Sequence, residues 1–332
     1  MAEEFWRGRR VAVTGGAGFI GRRLVARLCA EGAGVRVLGR YTSDGEPGVR
    51  RRLDPACADA VEVSLLDIAD ARAVREALRG ADTVFHLAAL IGIPYSYLAP
   101  ASYVATNVVG TLAVLEAVRE LGIRRVVHTS TSEVYGTART VPITEEHPLQ
   151  GQSPYSASKI AADKMAESYH RSFGVPVVTL RPFNTYGPGQ SLRAVIPTIL
   201  GQLLARCPEL RLGALTPRRD LTFVDDTVAG FLAAGSAAAI EGEVIHLGTG
   251  TSPTVAELVE ICMEVTGHRP PMGTEEERVR PAASEVEVLV SDASKARRLL
   301  GWAAAVALRD GLERTAESLR ATDLSASARY AR

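Results

Sequence analysis

Thr131-Ser132-Glu133, Tyr155 and Lys159 are the side chains whose types and spacing suit chemistry. Tyr155 and Lys159 stand four apart in Tyr155-Ser156-Ala157-Ser158-Lys159, inside an Ala-rich stretch to about Phe173 that reads as a helix. Positions four apart share a helix face, so both point into one site. A free phenol titrates at about 10, and a nearby ammonium is needed before Tyr155 can accept a hydroxyl proton near neutrality. Lys159 can supply that charge. Glu133 adds a carboxylate able to remove a second proton, and the set suits oxidation of an alcohol followed by elimination. A lone Y-x-x-x-K match is more often an ordinary helix face, and the elements around it decide otherwise here.

Val11-Ala12-Val13 reads as a short strand running into Thr14-Gly15-Gly16-Ala17-Gly18-Phe19-Ile20-Gly21, with a helical pattern following through Leu24, Val25 and Leu28. In this strand, glycine turn and helix, Gly15 permits the turn, Gly18 lets a pyrophosphate approach the backbone, and Gly21 lets helix pack on strand. The free N–H groups at the helix start, from Phe19 and Ile20 onward, face the anion. Val35-Arg36-Val37-Leu38 reads as the second strand, after which an acidic residue would hold the adenosine ribose of NAD. The chain has Gly39-Arg40-Tyr41-Thr42-Ser43 instead, so Arg40 and Ser43 either face a 2′-phosphate, as NADP requires, or are a solvated loop. Leu66-Asp67-Ile68 ends a further strand where adenine should lie. Val84-Phe85-His86-Leu87-Ala88-Ala89 forms the next, its small Ala88 and Ala89 leaving room beside Leu87 for a dinucleotide. Val126 to Ser130 is a strand whose C-terminal end carries the Thr-Ser-Glu triplet, and ligands of open parallel sheets bind at that end.

Helical segments such as Ala71 to Leu78 and Thr111 to Leu121 separate these strands, which specifies an α/β fold with a doubly wound parallel sheet of the Rossmann kind. After Val177 to Arg181 the pattern changes at Pro182, Pro188 and Gly189, while Phe223 to Ala234 and Val244 to Gly248 look like a helix and strand returning to the sheet. The expected division is a dinucleotide-binding domain of residues 1–181 plus about 222–248, and a smaller discontinuous α/β substrate domain of 182–221 plus 249–332. The 332 residues carry 38 basic and 38 acidic side chains, with no basic stripe, which argues against nucleic acid as a partner. Cys29, Cys57, Cys207 and Cys262 are scattered, without metal-site or disulfide spacing, and no metal is expected. With no secretory signal pattern and no run of about 18 apolar residues, a soluble cytoplasmic protein without membrane contact is expected. His86, His128 and His246 lie in apolar strands and read as satisfied core residues.

T-G-x-x-G-x-x-G, the Y-x-x-x-K helix, R-P-F-N-x-Y-G-P at 181–188 and R-D-x-x-x-V-D-D at 219–226 follow one another as in extended short-chain dehydrogenases that modify nucleotide sugars, and the likeness spans nearly the whole chain. Thr-Ser-Glu before Val-Tyr-Gly resembles GDP-mannose 4,6-dehydratases and UDP-glucuronate decarboxylases, whereas plain 4-epimerases usually lack the Glu. Ile93-Pro94-Tyr95-Ser96-Tyr97, Gln150-Gly151-Gln152-Ser153-Pro154-Tyr155 and Arg280-Pro281 leading to Ser284-Glu285-Val286 resemble sugar-nucleotide 4,6-dehydratases of legionaminic acid biosynthesis, which act on a nucleotide-linked N-acetylglucosamine.

The resemblance implies that Thr131 hydrogen-bonds a sugar 4-hydroxyl, that Tyr155 takes its proton as hydride leaves C4, and that Lys159 holds the nicotinamide ribose and lowers the Tyr155 pKa. Glu133 then abstracts the C5 proton as water leaves C6, and the hydride returns to the sugar's C6 from the recycled, tightly bound cofactor. A period-two strand would place Thr131 and Glu133 on one face and Ser132 on the other. The triplet departs from the Thr-Asp-Glu of dTDP-glucose dehydratases, whose Asp protonates the leaving hydroxyl; Glu133 or Ser132 are the candidates here. Asn184, Arg219 and Arg280 are implied contacts of the substrate diphosphate and Glu285 of the nucleotide ribose, with a solvated charge pair at Arg218 and Arg219 as the alternative. A 4-epimerase is the runner-up, a uronate decarboxylase the third reading, and a regulator without turnover the reading from another class. Relatives also imply a homodimer through the helices around Tyr103 to Leu121 and Tyr155 to Phe173.

Overall fold

The computed structural model describes residues 5–275 and 284–321. Its first half alternates strand and helix: β1 Arg10–Thr14, α1 Phe19–Ala30, β2 Gly34–Gly39, α2 Gly45–Arg50, β3 Glu62–Leu65, α3 Ala71–Leu78, β4 Thr83–His86, α4 Ile93–Leu98 and α5 Pro100–Tyr103. The helix continues through a π-helical stretch, Val104–Val109, into α6 Gly110–Leu121, before β5 Arg125–Thr129, the 3-10 turn Ser132–Tyr135, α7 Pro154–Phe173 and β6 Val177–Pro182. Then come β7 Asn184–Tyr186, α8 Val195–Leu204, β8 Leu210–Leu212, β9 Arg218–Arg219, β10 Leu221–Phe223, α9 Val224–Ser236 and β11 Val244–Leu247. The last described elements are α10 Val255–Thr266, β12 Met272–Thr274, β13 Val288–Leu289, α11 Ser294–Leu300 and α12 Leu308–Arg320.

Seven strands form one parallel sheet in the order β11-β6-β5-β4-β1-β2-β3. Every residue of β4 and of β6 is buried, as strands covered by helices on both faces must be. The chain order reverses between β1 and β4, so the C-terminal ends of those two strands open the crevice where a ligand of this architecture sits. β11 returns to the sheet after the excursion through β7 to α9 and pairs with β6, with Ile245 opposite Leu180. α9 packs on α1 beneath it. Three further two-stranded pairs, β10 with β7, β12 with β8 and β13 with β9, lie outside the main sheet. One apolar cluster runs from Val11 and Phe85 through Phe223 and Leu247 to Leu312.

Strand ends differ from the sequence expectation in two places. β3 closes at Leu65, so Leu66-Asp67-Ile68 lies beyond it in a turn where Asp67 Oδ1 accepts the Ala69 N–H at 2.9 Å. β6 runs on through Pro182, whose missing N–H costs nothing there because the strand is ending. The 22-residue run Pro100–Leu121 contains an 18-residue window of mean hydropathy 1.4, long and apolar enough to cross a membrane, and half of that window is buried in the fold. Its packing against α3 and α7 accounts for that apolar character.

Candidate active site

The glycine turn is shaped by its neighbours. Gly15 has φ +69°, and a Cβ there would lie 2.9 Å from Ala88 N. A Cβ on Gly21 would come within 2.3 Å of Gly15 O, so only glycine lets α1 start against β1. Thr14 Oγ1 accepts the N–H groups of Leu87 and Ala88, each at 3.1 Å, and is 2.8 Å from His86 Nδ1. The hydroxyl proton therefore goes to Nδ1, and the His86 proton sits on Nε2, 3.0 Å from Thr111 Oγ1. This clasp holds Leu87-Ala88-Ala89 beside Gly15 at the mouth of the crevice. Gly18 is the N-cap of α1, with no side-chain cap and no acidic residue in the first turn, so the N–H groups beginning at Phe19 and Ile20 are free for an anion. The turn fits a dinucleotide pyrophosphate. Arg40 and Ser43 are exposed just past the end of β2, and Ile68 is buried with its side chain against Gly110.

Ser153 starts α7 with a reciprocal capping box to Ser156, and Pro154 occupies the first turn. Tyr155 and Lys159 follow on one face, both buried. The expectation that a period-two strand aligns Thr131 with Glu133 is corrected: β5 ends at Thr129, and Thr131 is the N-cap of the 3-10 turn. Thr131 Oγ1 accepts the Glu133 N–H at 3.2 Å, which folds both half-exposed side chains to the same side, while Ser132 is buried at 2% exposure. Thr131 hydrogen-bonds the Tyr155 phenol, and the Glu133 charge acts on it.

A second correction concerns Lys159. The expected net lowering of the Tyr155 pKa is not found: burial raises the phenol above its ordinary value, the Thr131 hydrogen bond opposes that, and Glu133 adds to it. Lys159 Nζ instead donates to Thr129 O at 2.6 Å. Burial pulls its ammonium down to about 8, against a partial counterweight from Asp163.

Sequence reasoning missed three parts of this site. Asn107, in the π-helical stretch, accepts from Leu90 N at 2.8 Å and donates to Leu90 O and to Ser158 Oγ, tying the loop after β4 to the Tyr155 helix. The π geometry could have flagged it, since such bulges gather at functional sites, but it is invisible in residue types. Tyr103 packs edge-on against Tyr155 with centroids 6.2 Å apart. Asp163 anchors a buried network: it accepts from His128 Nε2 at 3.1 Å, Ser130 Oγ at 2.7 Å, and Arg181 Nε and Nη2 at 3.1 and 2.9 Å. Arg181 Nη1 continues to Tyr135 OH at 2.6 Å, which meets His246 Nε2 at 2.5 Å. All three strand histidines are thus buried core residues with partners.

Across the cleft, Asn184 opens β7 with its amide oxygen buried and, among the described residues, without a hydrogen-bond partner. Arg219 and Glu285, expected on diphosphate and ribose respectively, meet each other at 3.0 Å and are both largely buried. Arg218 is more exposed and 3.9 Å from Glu257. Arg280 lies outside the described residues. Among the described residues no group of three His, Cys, Asp or Glu is arranged for a metal ion.

Glycine turn, doubly wound sheet and a Tyr-x-x-x-Lys helix against the end of β5 define an extended short-chain dehydrogenase. The chain belongs to the GDP-mannose 4,6 dehydratase family, whose profile matches residues 12–315. It is 33% identical over 315 residues to a UDP-glucose 4-epimerase of Mycolicibacterium smegmatis, covering 94% of this chain and 98% of that one. It is 38% identical over 264 residues to a dTDP-glucose 4,6-dehydratase of an Actinoplanes species, covering 78% and 82%. Among solved structures, a double mutant of the dTDP-glucose 4,6-dehydratase of Streptomyces venezuelae with NAD bound matches with TM-score 0.83 and 34% identity, covering 94% of this chain and 97% of that one. Dehydratases and epimerases thus stand at similar distances, and the chain is an enzyme of this nucleotide-sugar group.

Proposed function

We propose that the protein is a nucleotide-sugar 4,6-dehydratase acting on a UDP- or GDP-linked N-acetylglucosamine or hexose. The observation that carries this reading is the convergence of Thr131 and Glu133 on Tyr155, which sets a half-exposed carboxylate beside the phenol that begins the oxidation. A nicotinamide dinucleotide, when bound, accepts the C4 hydride, returns it at C6 and brings a positive ring charge that opposes the burial cost on Tyr155. Tyr155 takes the proton of the C4 hydroxyl, and Thr131 orients that hydroxyl. The resulting ketone acidifies the C5 hydrogen, which Glu133 removes as hydroxide leaves C6. Glu133, newly protonated, returns that proton to the leaving oxygen to release water, and a solvent proton enters at C5 as the hydride reaches C6, whereas the buried Ser132 is poorly exposed for the acid role. Lys159 would hold the nicotinamide ribose. Asn184 and Arg219 would bind the diphosphate, with Glu285 exchanging its ion pair for the nucleotide ribose.

Arg40 and Ser43, exposed past β2 with no acid at its end, favour NADP over NAD. Residues 182–221 and 249–332 would supply the sugar side of the cleft. A homodimer is the proposed assembly, since Val104, Val109 and Phe173 expose 52%, 42% and 52% of their surface on the π stretch and α7. A 4-epimerase is the second reading, favoured by the identity to the mycobacterial epimerase. Incubation with a panel of UDP- and GDP-sugars separates the two by mass. A product lighter by one water is expected, and an isomer of unchanged mass would replace the dehydratase reading with the epimerase one.

A further inference from the structure

Three residues of α7, each one turn from the next, engage three successive residues at the end of β5. Tyr155 meets the Thr131 hydroxyl, Lys159 Nζ donates to Thr129 O at 2.6 Å, and Asp163 Oδ2 accepts from Ser130 Oγ at 2.7 Å. Two of these contacts belong to the oxidation pair. The third is made by a carboxylate whose side chain is 4% exposed and which also takes the Arg181 fork and the His128 N–H. We propose that Asp163 is a positioning residue for Lys159: it pins the strand end that receives the lysine and supplies the negative charge that keeps the buried ammonium protonated. This rests on the reading of Tyr155 and Lys159 as the oxidation pair.

The surrounding charges leave that task to Asp163. From β4 and β5, His86 and His128 face Lys159, and burial pushes both below the ordinary imidazole range, so they stay neutral. From β6, Arg181 is a full cation, and its fork rests on Asp163. The phenols Tyr155 and Tyr103, from α7 and α5, are raised by burial and carry no charge near neutrality, and Tyr135 of the 3-10 turn is pushed up to about 12. Tyr95 and Tyr97 on α4 are part-exposed phenols. Glu133 faces Tyr155 at the mouth of the cleft, and Glu116 of α6 binds Tyr169 at the far end of α7. Asp163 is the carboxylate whose charge raises Lys159. The sequence adds weight: Lys159, Lys164 and Lys295 are the only three lysines among 38 basic residues. Arginine serves nearly everywhere else, and unlike arginine a buried lysine can lose its proton.

The small lysine count also makes the test direct. The purified full chain, labelled with ε-13C-lysine, gives three side-chain signals whose pH titrations are followed without substrate. Lys164 and Lys295, paired with Glu167 and Glu243, serve as references. Wild-type Lys159 is expected to titrate near 8. Asp163→Asn should lower that midpoint by about one pH unit or more and move the alkaline limb of turnover with it. Asp163→Glu should restore both. A folded Asp163→Asn protein with an unmoved Lys159 midpoint overturns the proposal. If that variant does not fold, a wild-type Lys159 midpoint at or above those of the reference lysines overturns it instead. Because the titration needs no sugar, failure to find a dehydrated product counts against the dehydratase reading and leaves this one standing.

Discussion

Replacing Glu133 by Gln should separate the two halves of the reaction. The carboxylate is assigned to C5 proton removal, a general-base role worth about 10²–10⁴ in rate, or about 3–5 kcal/mol of barrier. The oxidation should not share that loss. Glu133 raises the Tyr155 pKa, so removing its charge eases deprotonation of the phenol, and Thr131 keeps its own contact with the ring hydroxyl. The variant should therefore reduce bound nicotinamide at or above the wild-type rate, while release of the lighter sugar falls by two to four orders of magnitude. Stopped-flow absorbance of the reduced nicotinamide reads the first half, and mass spectrometry with solvent deuterium at C5 reads the second. Dehydrated product released within about tenfold of the wild-type rate would refute the assignment of the base.

Tyr155→Phe should abolish turnover and leave dinucleotide retention intact, which native mass spectrometry checks directly; retained turnover would remove the phenol from the mechanism. Arg40→Ala should weaken NADP binding by about tenfold or more and change NAD binding little, as thermal shift with each cofactor shows; equal loss for both would return Arg40 to the solvated loop. Turnover should decline as pH rises through about 8, because burial has lowered Lys159 from 10.5 and its ammonium is the form lost on the alkaline side. A profile flat to pH 10 would contradict that dependence.

Local signals carried most of the fold. The glycine turn and the Tyr-x-x-x-Lys helix were legible because their working residues lie within a few positions of each other, and β11 was legible as a strand returning to the sheet. What failed were inferences that needed partners distant in the chain. Thr131 and Glu133 do converge, but through a cap, since β5 stops when Ser130 N bonds Leu180 O at 2.7 Å and the backbone turns. The Asp163 cluster draws on residues 18 and 33 positions away, and the Arg219 to Glu285 pair spans 66. No spacing rule reports such contacts. The expectation for Lys159 erred for a different reason: it counted the attraction of an ammonium and omitted the desolvation of a phenol enclosed by Tyr103 and Ile93.

The late arrival of β11 bears on how this protein is born. Until Glu243 and Leu247 emerge from the ribosome, Thr179 N and Phe183 N lack the carbonyls they bond, and β6, buried along its whole length in the finished fold, is an open border to the sheet. Such a border invites pairing with other chains. A fragment ending before Val244 would keep both the glycine turn and the tyrosine helix and still be prone to aggregate, so a truncation ahead of β11 does not leave a tidy nucleotide binder.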